Sequence, residues 1–342
     1  MRVDVIPIKE LSQSMKRDWL KMQASNPGIS GPFFHPELFV SVGQYCPDIF
    51  VALLYRENKL AGFLPFQNNR KLSAARPMRF CNFQAVICDP SQSWDVPAIL
   101  KKIKINSWEF EAFVGFENMR PREGDFQINN SLRIDLTGGL EGYWAFIKTK
   151  QLHLKDLDCK QRKLRLIKGP LRFVPNCDGA KTLHKFVQWK ISRYDHNPQW
   201  ASQTEKMLEH IYRLEDPLFQ AVMPALYAGD ELLAVDFHIR YQGHLGGLHR
   251  AFNPHYEKFS VGILLLHEII NLHKELEFNI FDLGPGVLPY KVDYSNSSLA
   301  AIKGTFKADS VKEKIKSINW LYQCLLPVAR FKRRIAAILS YI

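Results

Sequence analysis

The sequence predicts an α/β protein of the α+β kind, made of two consecutive halves, each a mixed, mostly antiparallel sheet flanked by helices. Three observations lead to this reading. Short apolar runs with period-two alternation are joined by tight polar turns, as antiparallel strands require. Stretches with apolar residues three and four apart stand between those runs, as helices covering a sheet would. The same layout, helices first and then a meander of strands, occurs twice along 342 residues, a length suited to two domains.

In the first half, RVDVIPI (2–8) alternates as a strand, residues 11–22 show helical spacing, and Asn26-Pro27-Gly28 ends that helix. Residues 48–67 read as a hairpin around the turn Arg56-Glu57-Asn58. Residues 80–87 read as a strand, 94–105 as a short helix, and 108–114 and 131–136 as further strands. Thr137-Gly138-Gly139 then punctuates the chain. This sets an N-terminal domain over 1–140, a C-terminal domain over 141–318 and a basic tail over 319–342.

The second half opens with a strand over 171–174 and a helix over 180–194 that lines up Leu183, Phe186, Val187 and Ile191. A helix over 203–214 follows. Strands over 221–228, 232–240 and 245–252 are joined by the turns Gly229-Asp230 and Gln242-Gly243. A long helix over 260–276 leads to a strand over 279–283 that ends in Gly284-Pro285-Gly286.

The composition, 46% hydrophobic and 23% charged, excludes a disordered chain. The net charge of +12 points to an anionic partner: nucleic acid, an anionic membrane surface or a phosphorylated small molecule. Lys148, Lys150, Lys155, Lys160, Arg162, Lys163, Arg165 and Lys168 concentrate that charge in one helical stretch. Six scattered cysteines without a CxxC pair suggest a reduced, cytoplasmic protein. The N-terminus lacks the apolar stretch of a signal peptide, and no run of 18 apolar residues occurs.

One segment is arranged for ligand chemistry. The loop 253–259 feeds a helix that opens Ser260-Val261-Gly262-Ile263. The free N–H groups and positive dipole end there suit a pyrophosphate, and Gly262 would let a ligand approach the backbone. The plainer alternative is a helix capped by Ser260 with no ligand.

LHKFVQWKISRY (183–194), AGDELLAVDFHIR (228–240), FSVGILLLHEII (259–270) and FDLGPGVLPYK (281–291) together resemble the BioF2-like (CelD-type) branch of the GNAT acyltransferases. That branch includes proteins of cellulose and capsule biosynthesis. FFHPELF (33–39), AGFLPFQ (61–67), NFQAVICDP (82–90) and IDLTGGLEGYW (134–144) extend the resemblance to the first half. The resemblance implies two GNAT-like domains in tandem, an architecture shared with the Fem-type peptidyltransferases. It also implies acyl-CoA bound in the second domain, with its pyrophosphate at Ser260, Val261, Gly262 and Ile263. The family loop R/Q-x-x-G-x-G/A is only partly present, since Lys258-Phe259-Ser260-Val261-Gly262 carries one glycine.

Acyl transfer to an amine needs a proton acceptor, an oxyanion donor and a donor for the departing thiolate. Asp236 and His238 share one face of their strand, and Asp236 stands where related proteins often carry histidine. Asp236 is thus a candidate base; the alternative is a structural ion pair, with Arg240 as the expected partner. His249, near the end of the neighbouring strand, would pair across with the Asp236 face or else lie on the surface. Tyr290 and Lys291 would serve the thiolate or a phosphate. Asp282 would touch substrate or cap the Gly-Pro-Gly turn. Trp189, Lys190 and Tyr194 would face a cleft between domains, with Trp189 also a core candidate. Asn82 and Gln84, within NFQAVICDP, are expected on the substrate side.

GxSxG, CxxC and HExxH are absent, and His267 and His273, six apart, do not share a helix face, so no metal is expected. In the tail, residues 320–342 mix large apolar side chains with Arg330, Lys332, Arg333 and Arg334. This suits either a membrane-surface helix or, preferred, a helix packed on the body. The expected function is transfer of an acyl group from acyl-CoA to the amino group of a UDP- or dTDP-linked amino sugar, for O-antigen or capsule synthesis, with no nucleic-acid partner. Two alternatives are a Fem-like transferase using aminoacyl-tRNA, supported by the basic stretch 148–172, and a non-enzymatic scaffold for nucleic acid or membrane.

Overall fold

The structure is a computed structural model that describes residues 1–69, 73–78, 80–116, 126–150, 154–177, 179–194 and 198–308. The expected tail over 319–342 lies outside the described residues. The chain begins β1 (Arg2–Pro7), α1 (Gln13–Ser25), α2 (Pro36–Tyr45), β2 (Ile49–Arg56), β3 (Lys59–Asn69), β4 (Ala74–Arg76), β5 (Gln84–Ala85), β6 (Ile87–Cys88), α3 (Val96–Lys102), β7 (Ser107–Val114) and β8 (Phe126–Ile128). It continues β9 (Ser131–Asp135), α4 (Leu140–Thr149), α5 (Leu154–Lys168), β10 (Leu171–Val174), α6 (Ala180–Tyr194), α7 (Pro198–Tyr212), β11 (Phe219–Val222), β12 (Ala225–Ala228) and β13 (Glu231–Tyr241). It then adds β14 (His244–Phe252), α8 (Val261–Asn271), β15 (Ile280–Pro285), α9 (Pro289–Tyr294), β16 (Ser297–Leu299) and β17 (Ile302–Lys307).

Local signals set many of these ends. Ser12 Oγ accepts from Met15 N at 3.2 Å to start α1, and Asp95 Oδ1 accepts from Ala98 N at 3.1 Å to start α3. Glu57 (φ 47°) and Asn58 (φ 61°) turn the β2–β3 hairpin with the positive φ values that a two-residue turn needs.

Three expected elements differ. Residues 80–87 are not one strand: the chain turns at Phe80, whose φ is 61°, and leaves the two short pieces β5 and β6. The strand expected over 221–228 is split at Pro224, which has no N–H for a ladder. The helix expected over 260–276 stops at Asn271, where Leu272 N turns back to Glu268 O and Ile270 O.

Two sheets form. The first runs β1-β2-β3-β4-β7-β17-β8, with β5 on β7 and β6 on β3. The second runs β10-β12-β13-β14-β15-β9-β16, with β11 on β13. Helices flank both. The sheets exchange strands: β9, from before the boundary expected at 140, lies between β15 and β16, while β17, from the end of the second half, lies between β7 and β8. Asp282 fixes the first exchange, accepting from Ser131 Oγ at 2.5 Å and Arg133 Nε at 2.8 Å.

A wedge from the first half completes the joint. The segment Gly31–His35 lies on the face of β13 and β14, where His35 stacks on Phe219 with centroids 4.6 Å apart. Gly246 is needed beneath it, because a Cβ there would meet Phe33 Cε2 at 2.8 Å and Pro32 Cγ at 3.0 Å. Phe33 and Phe34 are each 1% exposed, and burying such a side chain contributes about 1.5–3 kcal/mol.

Because each half supplies a strand to the other's sheet, fragments 1–140 and 141–342 expressed apart should each be insoluble, and co-expression should recover a soluble pair. A soluble, cooperatively melting 141–342 fragment alone would show that β9 is dispensable to the second sheet.

Candidate functional site

The parallel strands β14 and β15 pair only over His244↔Ile280, Leu245↔Phe281 and Gly246↔Asp282. Beyond that point β14 runs on to Phe252 and β15 to Pro285 without pairing, so the sheet parts at their carboxyl ends. Such a crevice at strand carboxyl ends is where open α/β sheets bind ligands. Right at the parting, β14 carries a bulge. The β13–β14 register runs Tyr241↔His244 to His238↔Gly247, then resumes one residue later as Phe237↔His249 and Asp236↔Arg250, leaving Leu248 extra.

That bulge decides which side chains meet. Without it His249 would stand opposite Asp236; with it, Arg250 does. Arg250 Nε donates to Asp236 Oδ1 at 2.9 Å and Oδ2 at 3.1 Å, and Nη2 donates to Oδ2 at 2.7 Å. Asp236 is fully buried. Burial alone would raise its carboxyl pKa, but Arg250 beside it prevails and holds it below the usual carboxylate range. The expected partner Arg240 is engaged elsewhere, with Leu276 O at 3.0 Å, Gln220 and Glu277. His238 shares the Asp236 face as expected and is 2% exposed, with Nε2 3.3 Å from Asp236 Oδ2 but aligned for no hydrogen bond. An ionised, enclosed carboxylate with both oxygens on a guanidinium is poorly placed to take a substrate proton. The geometry therefore gives Asp236 the structural part.

His249 points to the opposite face with Phe237, between Phe80 (5.9 Å between centroids) and Phe186 (6.5 Å). Its Nε2 is buried and has no hydrogen-bond partner among the described residues. Burial, then the charge of Lys190, push its pKa down to about 3, so the ring is neutral. Phe80 approaches it from the left-handed turn of the first half, the kind of sparsely populated backbone that gathers at functional sites. Lys190 thus stands at this cleft, whereas Trp189 is partly buried against the core. The side chains of Ile191 and Tyr194 lie outside the described residues.

At the start of α8, Ser260 holds the N-cap position with φ 56° and gives the helix no side-chain cap. The plainer expectation of a Ser260 cap is therefore corrected: Ser260 Oγ lies 3.3 Å from Lys160 Nζ of α5 instead. An ammonium, paired also with Asp156 at 2.8 Å, is thereby held at the start of α8, where Ile263 N and Leu264 N already donate to Ser260 O. Gly262 itself is buried, and a Cβ there would lie 3.1 Å from Arg250 Cδ and 3.5 Å from Phe252 Cδ1. Its missing side chain makes room for the Arg250 stem.

The remaining expected residues divide. Asn82 reaches the parting from the first half and donates to Gly247 O at 3.2 Å. Lys291, 7% exposed, donates to Gly284 O at 3.0 Å and Pro285 O at 2.9 Å, and burial lowers its pKa. Asn82 Nδ2 and Lys291 Nζ both stand within 4 Å of where a side chain on Gly284 would begin. Tyr290 lies under Arg250, whose Cζ is 5.5 Å from the ring centroid. Gln84 is engaged in the first half: its Oε1 accepts from Glu111 N and Ala112 N, and its Nε2 donates to Cys81 O. Asp282 spends its oxygens on Ser131, Arg133 and Gly284 N. Arg250 went unnoticed in the sequence, because strict hairpin counting points one residue short of it; Lys160 was singled out only as one charge of the basic stretch, with no signal placing it at the start of α8.

A cavity of about 500 Å³ lies away from this crevice, toward the Gln242-Gly243 turn, lined by Tyr212, Gln220, Arg240 and Glu277 among others. Arg240 is already engaged there, so we place the site at the parted strands.

Residues 153–292 match the acetyltransferase (GNAT) domain family. No curated protein sequence matches the chain. Among solved structures, a tandem GNAT protein from the clavulanic acid biosynthesis pathway superposes with TM-score 0.51 at 10% identity, covering 90% of this chain and 99% of that one. The C-terminal domain of a putative lysylphosphatidylglycerol synthetase from Agrobacterium fabrum gives TM-score 0.52 at 9% identity, covering 89% and 96%. L-PGS from Bacillus licheniformis gives 0.50 at 10%, covering 91% and 97%. At these identities the likeness is one of fold: two sheets flanked by helices, as in tandem GNAT-like domains.

Two outcomes test the electrostatics. Asp236→Asn leaves Arg250 enclosed without its counter-charge, so urea unfolding should show a loss of about 3–5 kcal/mol; a variant that keeps its stability and loses only turnover would restore Asp236 as the base. Burial holds His35 and His267 down to about 4 and His249 to about 3, against 6.5 in the unfolded chain. Below pH 6.5 the unfolded state therefore binds more protons, and stability is lost as pH falls toward 4. Calorimetry should show Tm falling from pH 7 to pH 5, with His35 alone contributing about 1.4 kcal/mol per pH unit at full effect. A flat Tm over that interval would mean the rings are solvated.

Proposed function

We propose that the second half transfers an acyl group from acyl-CoA to the amino group of a nucleotide-linked amino sugar, in the manner of the BioF2-like acyltransferases. The observation that carries this reading is the crevice where β14 and β15 part, set beside the uncapped start of α8. An extended, amide-bearing donor suits a slot between parted strands, because the edges of such a slot offer unpaired backbone groups. The α8 N-terminus with Lys160 suits the donor's phosphates.

The chemistry then distributes over named groups. A bulged residue leaves its backbone out of the ladder, so the N–H at Leu248 is the candidate donor to the thioester oxygen as it gains charge. Lys291 uses two of its three N–H bonds on Gly284 O and Pro285 O, and the third can meet the departing thiolate. His249, neutral and with Nε2 unpartnered among the described residues, is the candidate acceptor of the attacking amine's proton from the cleft it shares with Phe80 and Lys190, and its lowered pKa means that it hands the proton on to solvent. Asp236 and Arg250 hold β13, β14 and α8 in place behind these groups.

A second reading keeps the crevice and changes the donor to an aminoacyl-tRNA. It is favoured by α5, which lies against the segment leading into α8 and carries Lys155, Lys160, Arg162, Lys163, Arg165 and Lys168. The domain limits proposed with either reading are 1–140 and 141–318, allowing for the exchanged strands.

Thermal shift and thiol release distinguish the two. Acyl-CoA at a hundred times its Kd should add about 2.7 kcal/mol of stability. Thiol release should require a UDP- or dTDP-amino sugar, and His249→Ala should lower kcat by about 10²–10⁴ with the acyl-CoA KM unchanged. Stabilisation by aminoacyl-tRNA with none by acyl-CoA would overturn the first reading in favour of the second.

A further inference from the structure

Four large apolar side chains stand in water on one patch: Val287 is 75% exposed, Leu288 52%, Val292 45% and Phe146 43%. The backbone makes the patch continuous. Val287 and Leu288 are neighbours in the loop after β15, and Val292 N donates to Leu288 O at 3.1 Å, so Leu288 and Val292 lie one helical turn apart. Lys150 ties α4 to the same turn. Its Nζ donates to Val292 O at 2.8 Å and sits 5.1 Å from the Phe146 ring centroid. Single exposed apolar residues are ordinary, but a contiguous group rimmed by polar residues marks a contact surface.

The charge around the patch selects the partner. Lys150 borders it, donating to Val292 O and Ser295 O with Asp293 as an acidic neighbour. The stretch 148–168, running from α4 into α5, carries eight basic and two acidic residues, within a chain of net charge +12. A second copy of this chain docking by the same patch about a two-fold axis would set lysines against lysines. A surface of anionic phosphates with an apolar layer behind it fits both the charge and the apolar residues.

We propose that this lip seats the protein on an anionic lipid bilayer. Val287, Leu288, Val292 and Phe146 enter the boundary between headgroups and acyl chains, while the basic stretch 148–168 supplies the attraction to the lipid phosphates. The loop that carries Val287 and Leu288 begins where β15 ends, so docking holds the parting of β14 and β15 beside the lipid surface. The inference concerns the surface alone and stands whichever donor the crevice takes.

The test is sedimentation of the full chain with phosphatidylcholine vesicles, with and without phosphatidylglycerol, in the absence of any acyl donor. The chain should sediment with the phosphatidylglycerol vesicles at low salt and less as salt rises. Val287→Asp combined with Leu288→Asp should weaken partitioning about tenfold or more at unchanged Tm. Phe146→Ser provides a second, milder variant should the first fail to fold, and it too should weaken binding. Three results would overturn the proposal: no sedimentation with phosphatidylglycerol vesicles, patch variants that partition like the parent chain, or light scattering that shows a dimer broken by those variants with no lipid binding.

Discussion

Asp282 occupies the last position at which β15 still pairs with β14, and its two oxygens take three donors: Ser131 Oγ, Arg133 Nε and Gly284 N. The first two come from β9, so this carboxylate fastens the exchanged strand to the second sheet. The third belongs to the turn that carries β15 away from β14. One side chain, 4% exposed, thus sets both where the halves interlock and where the crevice opens. Enclosed carboxylates persist only when their acceptor capacity is met, and here the need for three donors fixes three backbone segments at once.

The polar groups around the crevice follow a consistent division. On the α8 side, charge is retained and paired: Arg250 with Asp236, backed by the Tyr290 ring. On the side facing the first half, the histidines are kept neutral by burial, His35 against Phe219 and His249 between Phe80 and Phe186. The wedge Gly31–His35 and Asn82 come from the first half and close on β14 at Gly246 and Gly247. The first half is therefore part of the wall of the site, and a change in its packing reaches the crevice through two consecutive residues of one strand.

Much of this was readable in the residues, and the limits have physical causes. Apolar runs bounded by polar turns located the hairpin over 48–67 and the β13–β14 pair, because β2 and β13 are buried on both faces. Sheet membership was not readable for β9 and β17: runs of five and six residues alternate the same way whichever sheet receives them. Asp236 and His238 were found as polar breaks in an apolar strand, and Asn82 and Lys291, singled out for a site, lie beside Gly247 and Gly284. Asp236's partner was missed by one position, since a bulge adds a residue that no local pattern announces. Gly262 was read as an opening for a ligand, yet the space it leaves is filled by a side chain twelve residues earlier.

The place of β17 also sets an order in time. β7 and β8 meet only through Ile302–Lys307, whose Phe306 ring packs 4.6 Å from Phe110 and 5.2 Å from Phe113 between centroids. On a ribosome adding about 5–20 residues per second, the interval from β8 to β17 lasts on the order of ten to thirty-five seconds. Through that interval the sheet that emerges first keeps an unpaired edge beside an apolar aromatic cluster, a combination that recruits other nascent chains. The half made first is thus the last to close, and the yield of native protein should depend on what shields that edge while the rest of the chain is made.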